Sequence, residues 1–239
     1  MPIENIEVLT DDYVFPDAGG PECIPRVLHM IWVGGAEMPD YARSNLLSWC
    51  KLMPHWIVRL WTNADIPEFP EIAEKIHETE KGVQKADLLF FHIMEKYGGI
   101  YVDTDVTPHR SMDPIIEMNR PLVACNDIPF TWAYCSKGFF AVSPHHPSMK
   151  YACEKSKTAV INTSDIHMHT GPRLFGDAIV STCMSKDDQY TVLPCKYFYL
   201  TTLDNGGIFA GWIDKVKYYR NSNLEERFGT HEYRKEWTT

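Results

Sequence analysis

The sequence predicts an α/β fold with a mostly parallel central sheet. Short continuous apolar runs, of the kind that form strands buried on both faces, alternate along the chain with longer segments of helical spacing. The clearest unit is a helical pattern over residues 83–97, a Gly98-Gly99 break, and an apolar Ile100-Tyr101-Val102 strand closed by Asp103-Thr104-Asp105. Ligands of such sheets bind beyond the carboxyl ends of the strands, and the two acids fall at that kind of edge.

Residues 1–22 are polar and turn-rich and read as an irregular lead-in, with room for a small hairpin around Tyr13–Phe15. Residues 23–239 read as one domain, a length that buries roughly 70–75% of its unfolded surface without staples. Arg26 to Val33 is a buried strand closed by Gly34-Gly35. Residues 39–53 are helical, with Pro39 in the first turn and an expected apolar face of Leu46, Leu47 and Cys50. Trp56–Trp61 is a second strand, stopped by Thr62-Asn63-Ala64-Asp65, and residues 68–80 form a polar, exposed helix. In the 83–97 helix Ala86, Leu89, Phe90, Ile93 and Tyr97 recur at helical spacing, and Gly98 stands where a helix C-cap is expected. Pro121–Cys125 and Phe139–Val142 are further strands, and 147–160 and 172–185 further helices.

A formal net charge of −9 argues against nucleic acid as a partner, since that needs a basic stripe. It leaves room for an anionic small ligand if a divalent cation supplies the missing positive charge. Seven cysteines, odd in number and without a Cys-x-x-Cys pair, argue against structural zinc; they read as small buried hydrophobes of a reducing compartment. No apolar stretch approaches membrane-spanning length. The expected setting is cytoplasmic.

Asp103 and Asp105 point to the same side of an ideal strand, about 6.6–6.8 Å apart along it. That is too far for both to chelate one ion unless the chain bends. Magnesium and manganese take one or two carboxylates plus substrate phosphates, and such an ion stabilises charge on a departing diphosphate. Asp-x-Asp alone is common; the helix, the double glycine and the strand before it make the pattern specific.

The stretch from Lys85 to Pro108 resembles the core of the DXD-motif sugar transferases of glycosyltransferase family 32 type, and is similar to the catalytic core of the large clostridial glucosylating toxins. The resemblance extends to Ile24–Gly35, to Thr170-Gly171-Pro172, and to His231 followed by Trp237. It implies a GT-A (Rossmann-like) fold. It further implies Asp87, Asp103 and Asp105 as catalytic residues. Trp32 would stack on the base, uracil being favoured, and Val33, Asp87, Asp103, Thr104 and Gly171 would line the nucleotide sugar. Asp105, Asp103 and His231 would hold Mn2+ or Mg2+. Thr170 is expected to N-cap the following helix, and Trp237 to pack the closing loop. The family usually carries an Arg three residues after the helix Asp; here that position is Phe90, and Lys85, Lys137 or Arg173 could substitute.

The expected reaction is metal-dependent transfer of a hexose to a glycan acceptor with retention. The donor would be a UDP-sugar such as UDP-glucose or UDP-galactose, with a GDP-sugar as the other possibility. An effector-type protein glycosyltransferase, a non-catalytic nucleotide-sugar-binding protein and a nucleotidyltransferase are the rival readings. His145-His146 reads as an exposed turn and His167-x-His169 as a loop pair without a third ligand.

Overall fold

A computed structural model describes residues 6–8, 23–126, 135–182, 190–199, 226–232 and 234. In chain order the elements are β1 (Ile6–Val8), β2 (Val27–Ile31), α1 (Asp40–Leu52), β3 (Ile57–Trp61), α2 (Pro70–Glu78), α3 (Gly82–Tyr97), β4 (Gly99–Val102), β5 (Val106–Pro108) and α4 (Asp113–Glu117). Then come β6 (Leu122–Asn126), β7 (Cys135–Val142), α5 (Pro147–Thr158), α6 (Ile166–His169), α7 (Pro172–Thr182), β8 (Tyr190–Leu193) and β9 (Gly229–His231). Seven strands form one sheet in the order β1-β8-β6-β7-β4-β2-β3; β5 and β9 make a separate ribbon. Within the large sheet only β7 runs antiparallel to its neighbours. The α/β, mostly parallel architecture is the one the sequence predicts.

Strand alternation divides the core into two. Tyr101, Leu122, Ala124, Phe140 and Val142 face the cluster under α3, α5 and α7. Ile100, Val102, Val123, Cys125, Phe139 and Ala141 face the cluster shared with Trp49 of α1 and Phe198 and Phe228 of the later chain. Because both faces of the strands are buried, they read as continuous apolar runs rather than as alternation.

The joint between α3 and β4 aims the acids. Gly98 and Gly99 take positive φ values of 59° and 95°. A Cβ on Gly98 would lie 2.5 Å from Pro144 N, and one on Gly99 2.6 Å from Val27 O. The helix therefore reverses tightly into the strand, and only glycine fits. His29 of β2 locks the joint: Trp61 Nε1–H donates to its Nδ1 at 3.0 Å, which leaves the Nε2–H to donate to Gly98 O at 2.8 Å.

Four expectations are corrected. Ile6–Val8 of the lead-in is a strand paired in parallel with β8, not irregular chain; Tyr13–Phe15 lie outside the described residues. The buried face of α1 is Ala42, Asn45 and Trp49; of the expected face Leu46 packs partly buried against the core, while Leu47 is 60% exposed and Cys50 is exposed. The i, i+3, i+7 stripe wins because it buries the large Trp49 ring. Of the cysteines, Cys125, Cys153 and Cys195 are buried as expected, but Cys23 and Cys50 are exposed. His146 is buried: its Nδ1 accepts from the Ser148 N–H at 3.2 Å and caps α5, while His145 holds φ 58° beside Glu95.

Candidate active site at the carboxyl edge of the sheet

β4 ends at Val102, and the chain then turns. Val106 N–H donates to Asp103 O at 3.0 Å, and Asp103 N–H donates to Gly138 O on β7 at 3.1 Å. The side chain of Asn45 on α1 grips the turn from below, its Nδ2–H donating to Thr104 O at 3.0 Å. This is the bend that the ideal-strand spacing of the two acids required. It closes their gap, and His231 of β9 meets them both. Its Nε2 lies 3.2 Å from Asp103 Oδ2 and 3.4 Å from Asp105 Oδ1. One ligating atom from each of the three can be chosen so that all lie within 4.8 Å of one another.

His231 reaches this position by two devices. β9 pairs with β5 so that His231 sits opposite Val106, just past the turn, and its N–H is held by Phe198 O at 2.8 Å. Its ring also packs against a place where the sheet has no side chain. A Cβ on Gly138 would stand 2.5 Å from His231 Cδ2 and 2.9 Å from Nε2. Glycine inside a strand often marks such a close approach.

The three acids differ in their surroundings. For Asp103 burial disfavours the charge, but the His231 contact, the Tyr101 hydroxyl (donating to Oδ1 at 2.7 Å) and the nearby Lys137 charge outweigh it, so its pKa is lowered. Asp105 is 3% exposed, and burial raises its pKa despite His231 and the Arg234 N–H, which donates to Oδ2 at 2.8 Å. Burial also raises Asp87, against the pull of Lys137. With all three ionised the cluster carries more negative charge than Lys137 neutralises, an arrangement that favours a cation.

The residues present fit a divalent ion. Oxygen and imidazole donors stand about 2.0–2.2 Å from such ions, so adjacent donors in an octahedron lie about 3 Å apart. The distances from His231 Nε2 to the two carboxylates are close to that spacing.

Asp87 projects from the N-terminal half of α3, which lies at the same edge because α3 runs antiparallel to β4. Lys137 Nζ pairs with Asp87 Oδ1, and the Thr170 hydroxyl donates to Oδ2 at 3.3 Å. Of the three candidate cations, Lys137 is thus the one beside Asp87; Arg173 is exposed and paired with Asp177. Phe90 is a core residue, with rings of Tyr101, Phe91, Phe140 and Phe175 within 6.1 Å. Thr170 caps the end of α6 rather than starting α7, whose first turn is instead closed by Gly171 O accepting from Phe175 N–H at 3.3 Å.

Trp32 and Val33 follow β2 at the same edge, both half-buried. The Trp32 Nε1–H donates to Ala36 O at 2.9 Å, and Asn63 brackets Gly34 with two hydrogen bonds of 2.9 and 2.7 Å, so this loop is fixed. The structure thus gathers Asp87, Asp103, Asp105, Thr170, Gly171 and His231 around one edge with Trp32 and Val33 on its flank; Trp237 lies outside the described residues. Asn45, Tyr101 and Gly138 escaped the sequence reading. A glycine within an apolar strand was the one signal for Gly138, and a polar residue in register with Ala42 and Trp49 the one for Asn45.

Fold and site together resemble those of glycosyltransferases, and the relatives and structural neighbours of the chain are glycosyltransferases. Residues 39–121 match the family model of the glycosyltransferase sugar-binding region containing the DXD motif. The matched stretch contains Lys85–Pro108, so the chain carries that DXD region at the Asp103-Thr104-Asp105 turn, on a GT-A fold. An uncharacterised glycosyltransferase of Acanthamoeba polyphaga mimivirus is 24% identical over 190 residues, 76% of this chain and 75% of that one. Inositol phosphoceramide mannosyltransferase 1 of Schizosaccharomyces pombe is 28% identical over 156 residues, 62% of this chain but 47% of its own length. The match thus spans about half of that relative. Among solved structures, the PaToxG glycosyltransferase superposes with a TM-score of 0.53 at 15% identity, covering 67% of this chain and 70% of that one. The ligand-free glycosyltransferase domain of the YGT toxin gives 0.53 at 10% identity, covering 72% and 80%. Both likenesses concern the fold. Among the described residues no helix is long and apolar enough to cross a membrane.

Proposed function

We propose that the chain transfers a hexose from a nucleoside-diphosphate sugar to a glycan acceptor, with retention and with a divalent ion, Mn2+ or Mg2+, as cofactor. The observation that carries this reading is the convergence of Asp103, Asp105 and His231 donors at the carboxyl edge of the sheet. A divalent ion held there supplies Lewis-acid stabilisation of the charge that builds on the departing diphosphate. Asp105, buried and fixed by the Arg234 N–H, and His231 form the protein side of its shell. Asp103, tied to Tyr101, lies between that shell and the donor. Thr104, at the tip of the turn, faces the donor with its neighbours. Trp32 and Val33 take the base and ribose, while Asp87 and Gly171 take the sugar. No carboxylate is assigned as a covalent nucleophile, so attack from the face of the leaving diphosphate accounts for retention.

UDP is the nucleotide favoured, with UDP-glucose or UDP-galactose as donors. The relatives named as mannosyltransferases make a mannose donor the second candidate. The test is nucleoside-diphosphate release from UDP-glucose, UDP-galactose and GDP-mannose, with Mn2+ and with excess chelator. Release from one donor, abolished by the chelator, supports the reading; release unaffected by the chelator refutes the role given to the metal. Proton NMR of the glycoside tests retention, and an inverted anomer overturns it.

A further inference from the structure

Lys137 enters the site from the first residues of β7 and is only 8% exposed. An ammonium so placed costs free energy unless its charge is met. It is met by the Asp87 carboxylate on one side and by the faces of Phe90 and Phe91, 5.0 and 5.3 Å from Nζ, on another. The two rings wall the ammonium toward Asp87. The carboxylate is in turn held at both oxygens, by Lys137 at Oδ1 and by the Thr170 hydroxyl at Oδ2. An ionised carboxylate offers about four lone-pair sites, and these partners occupy two of them. The rest are left for hydroxyl donors at the edge where Asp103 and Asp105 stand. A sugar ring presents neighbouring hydroxyls of that kind.

We infer that Lys137 is the positioning residue for Asp87, holding that carboxylate in one orientation so that its remaining lone pairs accept hydroxyls of the sugar on the donor. This rests on the donor-site reading given above. Lys137 acts through Asp87 and makes no bond to the diphosphate, because its charge is committed to the carboxylate. Phe90 serves the arrangement as a wall, which places the cation on the sheet instead of on the helix that carries the acid.

The test uses Lys137→Met, Lys137→Arg, Asp87→Asn and the Asp87→Asn/Lys137→Met double variant. Methionine keeps the unbranched apolar stem against Phe90 and Phe91, and arginine keeps the charge. Calorimetry with UDP or GDP plus Mn2+ reads the diphosphate site, and steady-state kinetics with whichever of UDP-glucose, UDP-galactose or GDP-mannose the wild type consumes reads the sugar site. In Lys137→Met we expect the nucleotide Kd within about threefold of wild type and kcat/KM lower by about tenfold or more, the value of one hydrogen bond to a charged group. Arginine restores most of the loss. In the Asp87→Asn background the Lys137→Met step costs less than about twofold, since the residues act as a unit. Nucleotide affinity that falls in step with turnover, or an equal Lys137→Met cost in both backgrounds, overturns the inference. A wild type that binds neither nucleotide with Mn2+ overturns the donor-site reading itself, and the inference with it.

Discussion

Gly138→Ala is a one-carbon test of how the histidine is held. The added Cβ would meet His231 Cδ2 at 2.5 Å, where ordinary contact begins at 3.4 Å. The imidazole or the strand must therefore yield by about 0.9 Å. A competent metal site tolerates roughly 0.2 Å in its ligand distances, so a displacement several times larger takes Nε2 out of the shell. The ring cannot escape freely, because its backbone N–H is fixed to Phe198 O at 2.8 Å and the Tyr199 hydroxyl would lie 3.2 Å from the same Cβ. Loss of a well-placed ligand or its support lowers metal affinity about 10–100-fold. The assay is calorimetric titration of Mn2+ in the presence of UDP, alongside far-ultraviolet circular dichroism to show that the sheet is intact. A folded Gly138→Ala protein that binds Mn2+ as tightly as wild type would refute the reasoning.

Three further predictions concern the frame around the site. Burial pushes the His29 pKa down from 6.5 to about 4, so the fold holds it neutral; stability is complete above pH 6.5 and is lost as pH falls toward 4. That gap is worth about 3 kcal/mol, and urea unfolding of wild type and His29→Gln at pH 7 and pH 4.5 should show the wild type losing more; equal losses would contradict the assignment. Phe90→Arg, which restores the arginine usual in similar transferases, should destabilise the fold by about 3–5 kcal/mol or more, because Phe90 is 1% exposed among four rings; an unchanged thermal midpoint would oppose this. Asn45→Ala removes the hydrogen bond to Thr104 O and should cost about 1 kcal/mol of stability together with a larger loss of metal affinity than a mutation on the exposed face of α1, such as Leu47→Ala; equal metal affinity in the two variants would show that the turn does not depend on Asn45.

What the sequence disclosed, and what it hid, follows from the range of the interactions involved. The α3-Gly98-Gly99-β4 unit was legible because its signals are local: helical spacing, a positive-φ break and an apolar run ending in acids. The α1 face was misread at Leu47 and Cys50, apolar neighbours of the half-buried Leu46 on the chain, because burial was decided by how Trp49 and Asn45 meet β5 and the Thr104 turn. The Asp103-to-Asp105 bend was invisible for a similar reason. It is enforced by Gly138 O from β7 and by Asn45 from α1, each far away in sequence. His231 could be named from a resemblance, but its proximity to the acids depends on the β5–β9 ribbon and on the bare backbone at Gly138. Lys137 was one of three interchangeable cations in the sequence, and only the antiparallel register of β7 on β4 set it against Asp87.

The most direct test of the account is Mn2+-dependent UDP binding, measured by calorimetry on wild type and on Asp105→Ala. The account predicts that wild type binds UDP only when Mn2+ is present, and that Asp105→Ala, still folded, loses this binding by about 100-fold or more. UDP binding of equal strength without the ion, or undiminished in Asp105→Ala, would contradict the claim that these acids join the metal to the donor.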